Sequence, residues 1–468
     1  MALPLSRVID RALDRVARAF RDVAGRGAPD APFRPDLPDE DIPRLKARID
    51  ACLSGPGGET AMRARAADLG RAYLGLSAAG RARFLLTLAR DYGLSAAAVD
   101  HAVARWSEAA ADTAARVAAA NGLRQALEPP AVRLLAQFVG LPQGVKFVVD
   151  LRGELLRLGR REPAVAALAD GLRGVLATWF DVGFLDLARI DWNAPASLLE
   201  KLVAYEAVHA IRSWRDLKNR LDSDRRCFAF FHPRMPEEPL IFVEVALVDG
   251  MAGDVRRLLD PRAPTRDPAT ADTAIFYSIS NCQDGLAGVS FGNFLIKRVA
   301  AELQAELPNL KIFATLSPMP GFRVWLDKAI AAESDGLLAD AERESLRGYC
   351  TADDPSMTRT LLDRPGWHED IALQAALRPV LTRLAARYLG RETRDGRALD
   401  RVAHFHLSNG ARVERLNWLG DTSANGLEQS HGLMVNYLYK LDEVEANHEA
   451  YAGGAIAASA AVRKLAKG

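Results

Sequence analysis

Several common signals are missing from this 468-residue sequence, and each absence excludes a class of protein. The four cysteines are isolated, so no CxxC pair predicts a zinc or redox site, and the count is low for an exported disulfide-stabilised protein. No apolar run is long enough to cross a bilayer. The net charge of +1 gives no electrostatic reason to expect nucleic acid or an anionic membrane as a partner. We therefore expect a soluble, cytoplasmic protein without either partner.

Signature motifs of common enzymes are also missing. There is no GxxxxGK[ST] phosphate loop, no GxGxxG that opens a helix after a strand, and no HExxH zinc motif. The segment Gly75 to Gly80 has the wrong spacing for the nucleophile elbow of a serine hydrolase. These absences argue against nucleotide hydrolases, dinucleotide dehydrogenases and HExxH-type zinc proteases.

The N-terminal segment Ser6 to Val23 is Arg-rich and amphipathic, as mitochondrial presequences are. However, it also carries Asp10, Asp14 and Asp22, which presequences avoid. Its apolar residues recur at alternating steps of four and three residues, which is the pattern of a packed helix. We therefore predict that this segment is the first helix of the folded protein.

Length and composition predict two large units, because 468 residues exceed what one compact core usually holds. The apolar fraction of 49% and the charged fraction of 26% are ordinary for a globular protein. The sequence changes character near residue 190. Residues 1–188 have helical apolar spacing and no catalytic motif, so they predict an all-α bundle that serves oligomerisation. Residues 189–468 mix strand and helix patterns and are predicted to form an α/β catalytic domain.

Short β-branched and aromatic runs in the second half predict strands. They are Cys227 to Phe231, Leu240 to Val248, Ala274 to Ile279 and Leu310 to Leu316, with helices at Asn293 to Leu307 and Ala376 to Leu389. Val402 to Leu407 and Val413 to Trp418 are predicted to form two further strands. Ser408-Asn409-Gly410 joins them, and Asn-Gly favours a hairpin because both residues tolerate a positive φ.

Two segments follow predicted strands and could hold a ligand. Tyr277 to Asn293 contains three glycines and leads into a helix, which suits a pyrophosphate such as that of coenzyme A. The alternative is a plain strand-turn-helix connection. Leu316 to Phe322 places Ser317 at the carboxyl end of a strand, where ligand sites of α/β sheets gather. The alternative there is a simple helix-initiating turn.

Two later segments carry further candidates. In a strand, His404 and His406 would share one face, which suits acid/base chemistry or, with His431 or a carboxylate, a metal. The alternative is one buried and one exposed histidine. Between Asn417 and Tyr439, asparagine and tyrosine side chains could donate hydrogen bonds into a pocket, or could be structural.

Taken together, these segments resemble the malonyl-CoA decarboxylase family. The matching stretches read YSIS, GVSFGNFLIKRV, LSPMPGF, FHLSNGA and HGLMVNYLY, in the family's order, and weaker likeness extends through the helical half. The resemblance implies a mixed α+β chain: a helical N-terminal domain, then a catalytic domain similar to the GNAT acetyltransferases. It also implies a homotetramer built as a dimer of dimers.

The resemblance further implies which residues act. The catalytic serine would be Ser317, the catalytic histidine His406 and the pocket tyrosine Tyr439. The coenzyme-binding loop would be Ala287, Gly288, Val289, Ser290, Phe291, Gly292 and Asn293. Animal members carry a glutamate where this chain has Ser290, so an acidic role at that position does not carry over.

The implied reaction converts malonyl-CoA into acetyl-CoA and carbon dioxide. Because the thioester itself accepts the electrons, we expect no metal and no organic cofactor. We expect Ser317 to hydrogen-bond the malonyl group and His406 to orient it and to supply the proton to carbon. The alternatives are a GNAT-type CoA-dependent acyltransferase, a metal-dependent hydrolase that uses His404 and His406, and an acyl-CoA sensor without catalytic activity.

Overall fold

The computed structural model describes residues 32–56, 58–109, 113–289, 295–332, 337–350 and 357–467. The helix predicted at Ser6 to Val23 lies outside these residues. The chain divides into two compact units. The first comprises Met1–Asp186, Phe231–Leu240 and Asn281–Ser290, and the second comprises Leu187–Phe230, Ile241–Ser280 and Phe291–Gly468.

The first unit is mainly helical. Its described residues form eight α-helices, α1 to α8: Ile42–Ser54, Glu59–Leu74, Ala78–Asp91, Ala96–Glu108, Thr113–Ala126, Pro130–Gln137, Gly144–Leu158 and Pro163–Trp179. Two begin at a proline, whose fixed φ suits a first turn. An aromatic cluster lies in the core, where Tyr73 meets Phe84 and Phe147 edge to face at centroid distances of 5.1 and 5.8 Å.

The second unit contains most of a mixed sheet. In the described residues, strands β1 to β10 are Asp186–Ile190, Arg225–His232, Met235–Val248, Thr273–Asn281, Ile312–Thr315, Ser317–Pro318, Thr393–Arg394, Arg397–Ala398, Arg412–Asn417 and Met434–Leu438. The large sheet has the order β1-β2-β3-β4-β5-β10-β6, with β9 paired to β10, while β7 and β8 form a separate pair. β4 and β5 are parallel, whereas β10 is antiparallel to β5, β6 and β9.

Helices of the second unit connect and flank these strands. Within the described residues, α9 to α20 are Ala196–Tyr205, Trp214–Arg220, Val255–Leu258, Leu295–Glu306, Phe322–Ala332, Asp340–Arg347, Met357–Leu362, Ile371–Arg391, Arg401–Ser408, Ala424–Ser430, Val444–Ala452 and Ala460–Lys467. No helix in the described part of the chain has the length and apolarity that a membrane span requires. A helical region followed by a mixed-sheet region confirms the predicted fold class.

The strands predicted at Cys227 to Phe231, Leu240 to Val248, Ala274 to Ile279 and Leu310 to Leu316 are present as β2, β3, β4 and β5. The strand predicted at Val413 to Trp418 is β9, but its antiparallel partner is β10. The strand and hairpin predicted at Val402 to Leu407 are wrong, because this segment is the helix α17.

Local signals explain that helix. The carboxylate of Asp400 accepts hydrogen bonds from the N–H groups of Val402 and Ala403, which caps the first turn. Gly410 has φ +80°, and a Cβ there would overlap the carbonyl of Val444. Asn409-Gly410 therefore ends a helix instead of turning a hairpin.

Candidate active site

Ser317 lies just past the point where pairing between β4 and β5 ends and the chain continues to pair with β10. Upstream, β4 and β5 pair over only four residues, from Thr273 with Ile312 to Phe276 with Thr315. Ser317 then opens the two-residue strand β6, which pairs with β10. The side chain is buried, with 6% of its surface exposed. The predicted location of Ser317 near the end of a strand agrees with this geometry.

A chain of hydrogen bonds joins the two predicted catalytic residues to the predicted pocket tyrosine. The Ser317 Oγ and the His406 Nε2 are 3.2 Å apart, and the His406 Nδ1 and the Tyr439 hydroxyl are 2.8 Å apart. All three side chains are buried. The structure thus brings together side chains that are separated by 122 positions in sequence, from 317 to 439.

The surroundings of His406 keep its imidazole neutral. Burial lowers the pKa of His406 to about 3, because the buried ring loses its hydration, and no charged group among the described residues offsets that loss. Burial also raises the pKa of Tyr439 well above its usual value, so its hydroxyl stays protonated. The ring of Tyr437 stacks on the imidazole at a centroid distance of 4.6 Å and an interplanar angle of 26°. At neutral pH His406 is therefore an uncharged group stacked on Tyr437.

The prediction that His404 and His406 share a face is wrong. The two residues lie on a helix, where positions two apart point in different directions. The Nδ1 of His404 bonds the Tyr451 hydroxyl at 2.8 Å, and His431 packs against Trp367. Within the described part of the chain, no three histidine, cysteine, aspartate or glutamate side chains gather as metal ligands do.

The predicted coenzyme-binding loop is described only in part. Ala287, Gly288 and Val289 are described, whereas residues 290–293 lie outside the described residues. Gly288 has φ +75°, a conformation that favours glycine. The guanidinium of Arg152 donates to the carbonyls of Gly285 and Ala287 at 2.6 and 2.8 Å. These bonds, which lie within the first unit, hold the start of the loop.

Sequence reasoning missed the residues that hold Ser317. The Ser317 hydroxyl donates to the Thr315 Oγ1 at 2.8 Å, and Asn436 donates to the Thr315 carbonyl at 2.6 Å. A signal was present for Thr315 and Tyr437, because each lies two positions from a predicted site residue in a strand and so shares its face. Asn436 faces the other side of β10. It lies in the Asn417 to Tyr439 segment where asparagines are candidate donors, but no spacing rule links it to Ser317.

Comparison with known proteins shows the family of the chain. The family model of the malonyl-CoA decarboxylase C-terminal domain matches residues 183–468, and that of the N-terminal domain matches residues 92–180. The mitochondrial malonyl-CoA decarboxylase of Anser anser anser is 39% identical over 410 residues, which is 83% of this chain and 80% of that protein. The Rattus norvegicus protein of the same name is 37% identical over 407 residues, with 83% and 82% covered.

Solved structures give the same result. The crystal structure of malonyl-CoA decarboxylase from Rhodopseudomonas palustris matches with a TM-score of 0.81 at 42% identity. That from Agrobacterium vitis matches with a TM-score of 0.81 at 43% identity. Each match covers 90% of this chain and 99% of the solved chain. Family models, sequence relatives and solved structures therefore agree, and the chain belongs to the malonyl-CoA decarboxylase family.

Proposed function

We propose that the protein, as a carboxy-lyase of this family, converts malonyl-CoA into acetyl-CoA and carbon dioxide, and that Ser317 and His406 carry the reaction. The observation that supports the assignment most directly is the buried Ser317–His406–Tyr439 hydrogen-bond chain. It offers hydrogen-bond donors and a titratable nitrogen in one water-poor place, which is what the reaction needs. No metal and no organic cofactor has a part in this proposal.

The electrons released when carbon dioxide leaves move into the thioester carbonyl, and the product is an enolate. Donors already oriented toward the enolate oxygen lower the barrier, and removing one such donor costs on the order of 100-fold or more in kcat. Ser317 is the donor that we assign to the malonyl group. Its hydroxyl is buried and donates to Thr315 in the free protein, and we propose that it turns to the malonyl group when the substrate binds.

The reaction consumes one proton, which must reach the α-carbon. The imidazole of His406 is neutral in the free protein because burial lowers its pKa. A malonyl carboxylate beside the ring raises that pKa, since an opposite charge nearby favours the protonated form. We propose that the substrate brings a proton onto His406 in this way. After carbon dioxide leaves, the imidazolium Nε2–H protonates the enolate carbon, and the ring is left neutral with its hydrogen on Nδ1.

Other features of the family are proposed for this chain on resemblance alone. Residues 287–293 would bind coenzyme A, the domain that begins near residue 189 would be GNAT-like, and the helical domain 1–188 would assemble a homotetramer. We also propose a cytoplasmic location. Size-exclusion chromatography with light scattering measures the assembly directly.

The test is incubation of the full chain with malonyl-CoA, with and without EDTA, while acetyl-CoA and carbon dioxide are followed. We expect equal amounts of both products, unaffected by EDTA. Ser317→Ala and His406→Ala should each lower turnover by about 100-fold or more. His404→Ala is the matched control. It removes an imidazole from the same helix, but that imidazole bonds the Tyr451 hydroxyl and not Ser317.

Three results would contradict the proposal. Binding of malonyl-CoA without carbon dioxide release would favour an acyltransferase or a sensor. Loss of activity with EDTA would favour a metal-dependent reaction. Normal turnover in Ser317→Ala or His406→Ala would remove that residue from the mechanism.

A further inference from the structure

The side chain of Asn436 holds the strand that leads to Ser317. Its Nδ2 donates to the carbonyl oxygens of Thr315 and Ala252, at 2.6 and 2.9 Å. Its Oδ1 accepts from Arg415 Nε and Asn417 Nδ2, at 3.0 and 2.8 Å. An amide side chain has two donors and two acceptor sites, and all four are used here. Asn436 is fully buried, so its orientation is fixed.

Side chains take part in the hydrogen bonding of the sheet at this point. β10 pairs with β5 at Leu438 and Ala314, and with β6 at Val435 and Ser317, in one unbroken register. This register places Thr315 opposite Tyr437 between these pairs. The Thr315 carbonyl accepts from the Asn436 side chain, and the Thr315 Oγ1 accepts from the N–H of Tyr437 at 3.1 Å. The threonine hydroxyl thus acts as part of the sheet.

The Thr315 Oγ1 also accepts a hydrogen bond from the Ser317 hydroxyl, at 2.8 Å. Ser317 has one proton, so its oxygen can only accept from His406. The His406 Nε2 must then carry a hydrogen, and in the neutral ring the Nδ1 must accept from the Tyr439 hydroxyl. The direction of one serine hydroxyl therefore decides which nitrogen of the imidazole is protonated.

We propose that Thr315, held by Asn436, is a positioning residue that selects the Nε2–H tautomer of His406 through Ser317. This tautomer presents a hydrogen to the substrate side of the ring. The other tautomer would present a lone pair there, which repels a carboxylate or an enolate oxygen. The effect on catalysis rests on the proposed decarboxylation, whereas the tautomer itself is a property of the free protein.

Thr315→Val tests the inference because it keeps the shape of the side chain and removes the acceptor. The Ser317 hydroxyl is then free to donate to the His406 Nε2, and the ring takes the Nδ1–H form. We expect kcat to fall roughly 10-fold, the effect of about one misdirected hydrogen bond, with KM close to normal. Thr315→Ser keeps the acceptor and should restore both kcat and the tautomer.

Nitrogen NMR of histidine-labelled full-length protein reads the tautomer without substrate, because protonated and unprotonated ring nitrogens differ strongly in chemical shift. The His406 signals are assigned from their absence in His406→Gln. The matched control is Thr273→Val. It deletes another fully buried threonine hydroxyl of the sheet, one that bonds Asp272, and should leave the His406 tautomer and kcat unchanged.

The outcomes separate this inference from the proposed function. An Nε2–H ring in the wild type that becomes Nδ1–H in Thr315→Val supports the inference, even if malonyl-CoA is not decarboxylated. An Nδ1–H ring in the wild type overturns it, whether or not the variant folds. A Thr315→Val protein that keeps the wild-type tautomer and a normal kcat also overturns the inference, and in that case the proposed decarboxylation still stands.

Discussion

The acid sensitivity of folding should reveal the buried neutral state of His406. In the folded protein burial lowers the pKa of this imidazole to about 3, whereas in the unfolded chain it titrates near 6.5. Between these two values the unfolded state binds a proton that the folded state does not. The free energy of unfolding therefore falls as the pH decreases through this window, and it is unaffected by His406 above about 6.5.

The magnitude follows from the pKa difference. A pH of 5 is about 1.5 units below the pKa of the imidazole in the unfolded chain, and each unit corresponds to about 1.36 kcal/mol. The titration of His406 therefore lowers the free energy of unfolding by about 2 kcal/mol between pH 7 and pH 5. The side chain is only 3% exposed, so solvent screening reduces this little. His406→Gln cannot titrate and should lose about 2 kcal/mol less than the wild type over this interval.

Urea unfolding at pH 7 and pH 5, followed by tryptophan fluorescence, measures the difference. Each protein is compared with itself at the two pH values, which cancels any loss of packing in the variant. The half-buried His209 and the buried His431, whose pKa values burial lowers, contribute equally to wild type and variant. His101→Gln is the control for the substitution itself, because that side chain is exposed on α4. An identical pH dependence in the wild type and His406→Gln would refute the reasoning.

Three further results are expected. Tyr439→Phe removes the donor to the His406 Nδ1 and should lower kcat about 10-fold with little change in KM, by steady-state assay. Glu244→Ala leaves the 2%-exposed Arg220 without its buried partner and should cost about 3 kcal/mol, seen as a lower Tm by calorimetry. Binding of a carboxyethyl thioether of coenzyme A, which has a carboxylate but no thioester carbonyl, should take up a proton, measured by titration calorimetry in two buffers of different ionisation enthalpy.

Much of the fold followed from local patterns. Strands β2 to β5 were predicted because β-branched and aromatic runs bounded by proline, aspartate or glycine have few alternatives. The sequence predicts α17 as a strand, because Val402 to Leu407 and Val413 to Trp418 are interpreted as two strands and Asn409-Gly410 as part of the turn between them. The competing signal was Asp400, a helix N-cap that only its bonds to Val402 and Ala403 make evident.

The site divides in the same way. Ser317, His406 and Tyr439 were identified from motifs, since each lies in a segment that resembles the family's. Their contact, however, depends on how α17 packs against the sheet, and no sequence spacing encodes a distance between residues so far apart. The role proposed for Thr315 needed the structure as well, because it arises from the hydrogen bonds that its hydroxyl oxygen accepts from Ser317 and Tyr437.

The sequence by itself determined the family, the helical and mixed-sheet regions, and the side chains with the required chemistry. Those properties follow from composition, periodicity and motif order, which are local. The tertiary structure decided the protonation of His406 and the direction of the Ser317 hydroxyl. Both depend on burial and on hydrogen-bond partners brought from distant strands, and the free energy of a buried polar group is set by its neighbours in space.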